Sequence, residues 1–570
     1  MRLSRVVGAA MLAAAATCAV LLTSERALSQ PAGAVSDPVA TAIVAELDLL
    51  MDPAVESIQG EQIAFRDLIQ DFYARRAYRA AWDDVKNAAE LRRAIADSAA
   101  DGLSPADYFQ PRLEDLARQA RDPAATATLR AQQDILLTEA LLRLGYHLSF
   151  GKVDPETFDS QWNYGRTLED RDIAGRIERV LASRDIHQRI EALKPTHRLY
   201  GTLKRELARY RAAEAAPPAA PVPAGASLKP GASDARVPLL RARLAASGDL
   251  AAGGAAQSPV YDAALEAAVR RFQQRMGLES DGAVGAGTVA ELNVPVSERI
   301  RQLRVNLDRG RVLMHDLPER FVVVNIAGFT AYLVRGQDIE WNARVQVGKP
   351  YRKTPLFRSE INYLVFNPTW TVPPGIIRND ILPAAKKDPA SITRRGLKVL
   401  DSGGREIDPA SVDWSRFKNG IPYTLRQDPG PNNALGRVKL MFPNDYFVYL
   451  HDTPSQSLFD KADRAFSSGC VRVERALELA ERVLDDPNQW NAQSIAAVIR
   501  GGRLQNVTLK RRMPVLLAYW TAWVDPEGRV NFRRDLYGQD AKWAEALDAP
   551  FRVRARPLFT DLPTTPAPSP

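Results

Sequence analysis

FSSGCVRV (Phe466–Val473) and, shortly before it, DYFVYLHD (Asp445–Asp452) are the stretches from which the fold and the chemistry are read. Side chains of a strand alternate between faces, so Phe447, Tyr449 and His451 are expected on one face and Tyr446, Val448 and Leu450 on the other. His451 closes that strand, where an imidazole meets a loop. A strand-end histidine near a lone cysteine suits an activated thiol nucleophile. ERALELAERVL follows the cysteine as an amphipathic helix, so Cys470 is expected just before a helix start, whose N–H groups favour a thiolate. Gly469 permits backbone angles or a close approach that a side chain would block. Arg472 adds a positive charge. Each of these would lower the thiol pKa. The plainer alternatives are an inert buried cysteine, a surface histidine, an ion-paired arginine and a core tyrosine at Tyr449.

The chain has 570 residues, enough for about three or four domains. Lys and Arg number 76 against 68 Asp and Glu, a modest excess spread along the chain. Such a surface suits an anionic polymer as partner. No dense basic block or nucleic-acid module is present, which argues against DNA or RNA binding. The N-terminus reads as an export signal over residues 1–29: MRLSR, then the apolar run VVGAAMLAAAATCAVLL, then small residues at Ala27 and Ser29. The expected location is the periplasm, with a membrane anchor only if the signal stays uncleaved. Cleavage would remove Cys18 and leave Cys470 alone, with no intramolecular disulfide. His147, His187 and His197 lack metal-ligand spacing and no HExxH occurs, so neither a metal nor an organic cofactor is expected.

Residues 38–212 read as a helical domain, carried by the periodic run Leu129–Phe150. A Pro/Ala-rich linker follows at 213–237, expected to be semi-extended and to bury no core. Residues 238–296 read as a small three-helix unit with Leu265, Ala268, Val269 and Phe272 on one face. Strand texture begins near Arg320. RFVVVNIAGFTAYLV has a turn at Gly328, KLMFPNDYFVYLHDTP reads as one strand, and VLLAYWTAWVDPEGRVNF closes with a hairpin at Pro526-Glu527-Gly528. A helical, Pro- and Gly-punctuated insertion runs from about 375 to 430, and 541–570 reads as a C-terminal tail.

VRRFQQRMGLESDGAVGAGTVAELN resembles a peptidoglycan-binding domain. VQVGKPYRKTP, FNPTWTVPPGI, YTLRQDPGPNNALGRVKLMFPN, YLHDTPS, SSGCVRV and YWTAWVDPEGRVNFRRDLYG together resemble an L,D-transpeptidase of the YkuD family, in its YcbB-type branch. Much of the wider family has a histidine where this chain has Ser468, a departure shared by that branch. The resemblance implies a multidomain α+β protein: an all-α scaffold, a small three-helix peptidoglycan-binding domain, and a mainly-β, sandwich-like catalytic domain over 320–540 with a helical capping insertion. It implies Cys470 as nucleophile, His451 as general base and Tyr449 with backbone N–H groups at the oxyanion. Ser468, Gly469 and Arg472 would shape the nucleophile loop, and Trp370 and Thr371 would line the substrate groove. The implied reaction is attack on the third-residue carbonyl of a tetrapeptide stem, loss of D-alanine, and transfer of the acyl group to the amine of another stem. The partners implied are peptidoglycan stem peptides and other cell-wall enzymes, and carbapenems would acylate the same thiol. Two alternatives stay open: an L,D-carboxypeptidase or protein-tethering or -releasing enzyme of the same fold, and a non-catalytic peptidoglycan-binding protein.

Overall fold

The computed structural model describes residues 37–553 except 53, 160–161, 165–171, 218 and 252–255. The expected export signal and Cys18 lie outside the described residues. The C-terminal half is organised by one nine-stranded sheet. Its order is Ala465–Ser467, Asp338–Gly348, Val471–Val473, Leu450–His451, Val438–Met441, Phe357–Phe366, Gln505–Ala518, Arg320–Asn325 and Thr330–Arg335. The last strand also pairs with Asp338–Gly348, so the sheet closes on itself. This long strand makes closure possible, because its first part pairs with Thr330–Arg335 and its last part with Val471–Val473.

Alternation sorts the residues of this sheet. Leu364, Leu440, Leu450 and Val471 lie in register on one face and are fully buried. Their neighbours Val365, Lys439, His451, Arg472 and Gln346 form the adjacent row, on the other face. KLMFPNDYFVYLHDTP is therefore not one strand but a hairpin. Asn444 makes the bend: its amide donates to the carbonyls of Phe442 and Val448 at 3.0 and 2.8 Å and accepts from Val448 N–H at 3.0 Å.

The N-terminal region is helical, built around Ala127–Phe150. The helix Val296–Leu313, which sequence periodicity did not single out, fastens it to the sheet domain. Asp308 accepts from the Lys152 and Val153 backbones, from Trp543 Nε1 and from Arg311. Arg311 also donates to the Asp101 carbonyl at 2.7 Å and to Tyr200 Oη at 3.0 Å. The stretch read as a tail from 541 contains most of the helix Gln539–Asp548, with Trp543, Ala544 and Leu547 buried.

The small unit has helices Val237–Ala246, Ala263–Met276 and Ala286–Leu292. The Pro/Ala stretch before it is not free of the core. Val222 and Leu228 are buried, and Val222 exchanges backbone hydrogen bonds with the Asn293 side chain at 2.9 and 2.8 Å. Two apolar residues among the prolines are enough to pin it.

The insertion has its own core, with Val372, Ile381, Leu382, Ile392, Trp414 and Leu425. Besides short helices it carries a four-stranded sheet, in the order Trp370–Thr371, Thr424–Gln427, Lys398–Leu400 and Glu406–Ile407. Its boundary thus lies at the edge strands, slightly outside the range suggested by the helical texture.

Candidate active site

Cys470 sits on a turn between Ala465–Ser467 and Val471–Val473, not at a helix N-terminus. The helix Ala476–Leu484 starts only after the second of these strands. VRV is drawn into the sheet because its backbone pairs on both sides, parallel to Leu450–His451 and antiparallel to Asp338–Gly348. The helix-dipole contribution expected from the sequence is therefore absent.

Local hydrogen bonds fix the turn. Ser467 Oγ donates to the Cys470 carbonyl at 2.5 Å and accepts from Gly469 N–H at 3.1 Å. Thr354 Oγ1 donates to the Gly469 carbonyl at 2.7 Å. Gly469 has φ +122°, a conformation that L side chains rarely adopt. An added Cβ would find only ordinary contacts at 3.6 Å, so backbone angle and not crowding is what calls for glycine. Ser468 Oγ accepts from Arg352 at 2.9 Å, and Arg352 also holds Asp380 of the insertion at 2.5 and 3.1 Å.

Cys470 is half-buried, with Sγ 3.8 Å from the Phe447 carbonyl. Burial pushes the thiol up from its ordinary value. The Tyr449 backbone N–H and the charges of Lys439 and Arg472 oppose that shift without overcoming it. This corrects the expectation of a lowered thiol pKa. Phe447 does not share the strand alternation. It has φ +56° and its side chain is 77 % exposed, while its carbonyl faces the sulfur.

His451 is buried and pairs in register with Lys439 on one side and Arg472 on the other. Burial first, then the Arg472 charge, brings its pKa down to about 3; Lys439 acts in the same direction. The imidazole is neutral at ordinary pH. Its Nδ1 lies 2.5 Å from the Asp452 carbonyl. A carbonyl can only accept, so Nδ1 carries a hydrogen, and the Leu435 carbonyl also lies against the ring and favours its protonated form. Tyr449 is half-buried, its phenol raised by burial and by the Cys470 charge. Arg472 donates to Gln346 Oε1 at 3.1 Å. Cys470, Tyr449, His451 and Arg472 are thus brought together, with Ser468 and Gly469 in the turn. Trp370 and Thr371 are placed on the edge strand of the insertion opposite Gln427 and Arg426, and among the described contacts none joins them to Cys470.

Sequence reading missed Lys439. Its Nζ stands 3.9 Å over the Tyr449 ring centroid, and burial lowers its pKa. The alternation of GRVKLM places Lys439 on the face opposite Val438 and Leu440. Its neighbours become visible only once the hairpin register is known.

Comparison with known proteins bears on the same regions. Residues 67–207 match the model of a Scaffold domain, 233–292 that of a "Putative peptidoglycan binding domain", and 319–499 that of an L,D-transpeptidase catalytic domain, YkuD. A Haemophilus influenzae protein named "Putative L,D-transpeptidase" is 37% identical over 242 residues, which is 42% of this chain and 48% of that protein. The chain thus spans about half the length of this curated relative. A solved L,D-transpeptidase (residues 123–326) from Xylanimonas cellulosilytica aligns at 15% identity and TM-score 0.18, covering 53% of this chain and 100% of that one. An L,D-transpeptidase from Mycobacterium smegmatis aligns at 13% and 0.16, covering 35% and 58%. Both scores are too low to bear on the fold. The family match rests on the sequence: this chain carries a YkuD-family L,D-transpeptidase catalytic domain, preceded by a Scaffold domain and a peptidoglycan-binding domain.

Proposed function

We propose that the protein is an exported L,D-transpeptidase that cross-links peptidoglycan stems in the periplasm. The observation that carries this reading is the sheet register, which gathers His451, Arg472, Tyr449 and the Cys470 turn at one site.

In this reading the Cys470 sulfur attacks the carbonyl carbon of the third stem residue, and the thiol proton passes to His451. The neutral imidazole is the form able to accept it. Backbone N–H groups of the turn, with the Tyr449 hydroxyl, stabilise the tetrahedral oxyanion. The C–N bond to D-alanine breaks, its nitrogen takes the proton back from His451, and a thioester remains on Cys470. The side-chain amine of a second stem then attacks the thioester, loses a proton to His451, and releases the thiol with a 3→3 cross-link. Gly469 gives the turn its backbone angle, Ser468 and Arg472 brace it, and Trp370 and Thr371 line the groove under the cap. An amine must outcompete water for the thioester, and a cap that excludes water favours the amine.

Mass spectrometry of products tests this. Protein incubated with disaccharide-tetrapeptide is expected to give a dimer lacking one alanine, absent with Cys470→Ala. Tripeptide alone would replace this reading with a carboxypeptidase. No product from folded protein, together with no carbapenem adduct on Cys470, would replace it with a binding role.

A further inference from the structure

Among the described residues the half-buried Arg464 and Arg533 donate to backbone carbonyls with Glu474, Asp463 or Glu291 acting on them, and fully buried cations are paired with carboxylates. Arg143 meets Glu139, Arg275 meets Asp249, Arg309 meets Asp540 and Arg311 meets Asp308. Lys439 and Arg472 are different. Lys439 is half-buried, and the one opposite charge acting on it among the described residues is that of a Cys470 thiolate. The same holds for Arg472, which donates to the neutral amide of Gln346. A desolvated cation without a counter-charge is costly, and the cost falls if an anion forms beside it.

The two cations flank His451 in the register Lys439–His451–Arg472. An imidazole between two positive charges resists protonation. A resting ion pair of thiolate and imidazolium, the usual source of an activated cysteine, is thereby disfavoured at this site. Two like charges remain where a thiolate would need support. Lys439 is held in place by the ring of Tyr449, at cation–π distance, and Tyr449 also presents its backbone N–H to the sulfur.

We propose that Lys439 is a positioning residue for the nucleophile, its ammonium and the Arg472 guanidinium, rather than an imidazolium at His451, being the counter-charges of the Cys470 thiolate. This rests on the reading of Cys470 as nucleophile. It divides the labour at the site: the two cations hold the sulfur's negative charge, and His451 only moves protons during acyl transfer. The other polar groups of the site are Tyr449, His451 in the same row, and Ser468 of the turn with its Arg352–Asp380 pair. With His451 neutral and the Tyr449 phenol un-ionised, Lys439 and Arg472 are the charges that act on the sulfur.

The test is the pH profile of Cys470 alkylation by iodoacetamide in the signal-free protein, where Cys470 is the sole thiol. Removing one cation disfavours the thiolate, so the inflection should move to higher pH. For Lys439→Met and Lys439→Gln a rise of about one unit is expected, with alkylation near neutral pH about tenfold slower and the alkaline plateau kept. Lys439→Arg should stay close to wild type. Near-UV circular dichroism confirms that each variant is folded, and the two neutral variants cover the loss of either one. Inflections that coincide with wild type, with only the plateau lowered, would overturn the proposal and leave Lys439 a structural role. The same proteins are scored for acyl-enzyme formed with disaccharide-tetrapeptide. A shifted inflection with no acyl-enzyme in wild type would sink the acyl-transfer reading and keep the Lys439 assignment. Acyl-enzyme with unshifted profiles would do the reverse.

Discussion

At Gly469 a single dihedral angle carries the nucleophile turn. Its φ of +122° is open to glycine and strained for alanine, although a Cβ would meet nothing closer than 3.6 Å. Gly469→Ala is therefore expected to cost about 1–3 kcal/mol or to shift the turn. Acylation of Cys470 should fall in either case, measured beside a thermal melt. His451 makes a different prediction. With its pKa down at about 3, it loses no proton between pH 5 and 8, so no inflection near the usual histidine value should appear in the acylation rate. The rate should instead stay level up to the raised value of the thiol, because thiol and neutral imidazole are together the reacting pair. A clear inflection near pH 6.5 would contradict the neutral imidazole. His451→Asn, which cannot take up the proton, should slow acylation by about 10²–10⁴-fold. Cys470, His451 and Gly469 were all legible in the sequence as candidates, because their residue types are unusual in that spacing. The direction of the thiol shift was not, since it depends on how many atoms of other segments surround the sulfur.

At the scale of elements, the insertion is fastened to the nucleophile turn through Arg352, which bridges Asp380 and Ser468. Both partners of the Arg352–Asp380 pair keep some exposure, so the pair itself adds little stability, about 0–1 kcal/mol. Asp380→Asn should hardly move the melting temperature. If the bridge keeps the cap over the thioester, that variant should raise the ratio of tripeptide to cross-linked dimer; an unchanged ratio would show that the bridge does not govern water access. The hairpins at Gly328 and Gly528 were readable from local turn chemistry. The hairpin at Asn444 and the strand at Val471–Val473 were not. Pairing of VRV with segments far away in sequence overrides its closeness to a helix, and the amphipathic signal of ERALELAERVL says nothing about where the preceding residues go.

At the scale of the whole molecule, the helix Val296–Leu313 joins the helical region to the sheet through a buried polar hub. Asp308 and Arg311 side chains are fully buried and bonded to each other. Asp308→Ala would leave Arg311 without its carboxylate and two backbone N–H groups without their acceptor. A loss of about 3–5 kcal/mol is expected, read from a denaturant melt. A loss below about 1 kcal/mol would show that the hub does not tie these parts together. The domain texture was legible from composition and periodicity. The hub was not, because polar residues on a helix read as a solvated face until their partners are known.

The central claim is that Cys470 carries the acyl group. Intact-protein mass spectrometry after brief exposure to disaccharide-tetrapeptide and acid quench tests it most directly. The expected result is an adduct of the donor minus alanine, mapped to the peptide containing Cys470 and missing in Cys470→Ala. Turnover retained in Cys470→Ala, or an adduct mapped to another residue, would contradict it.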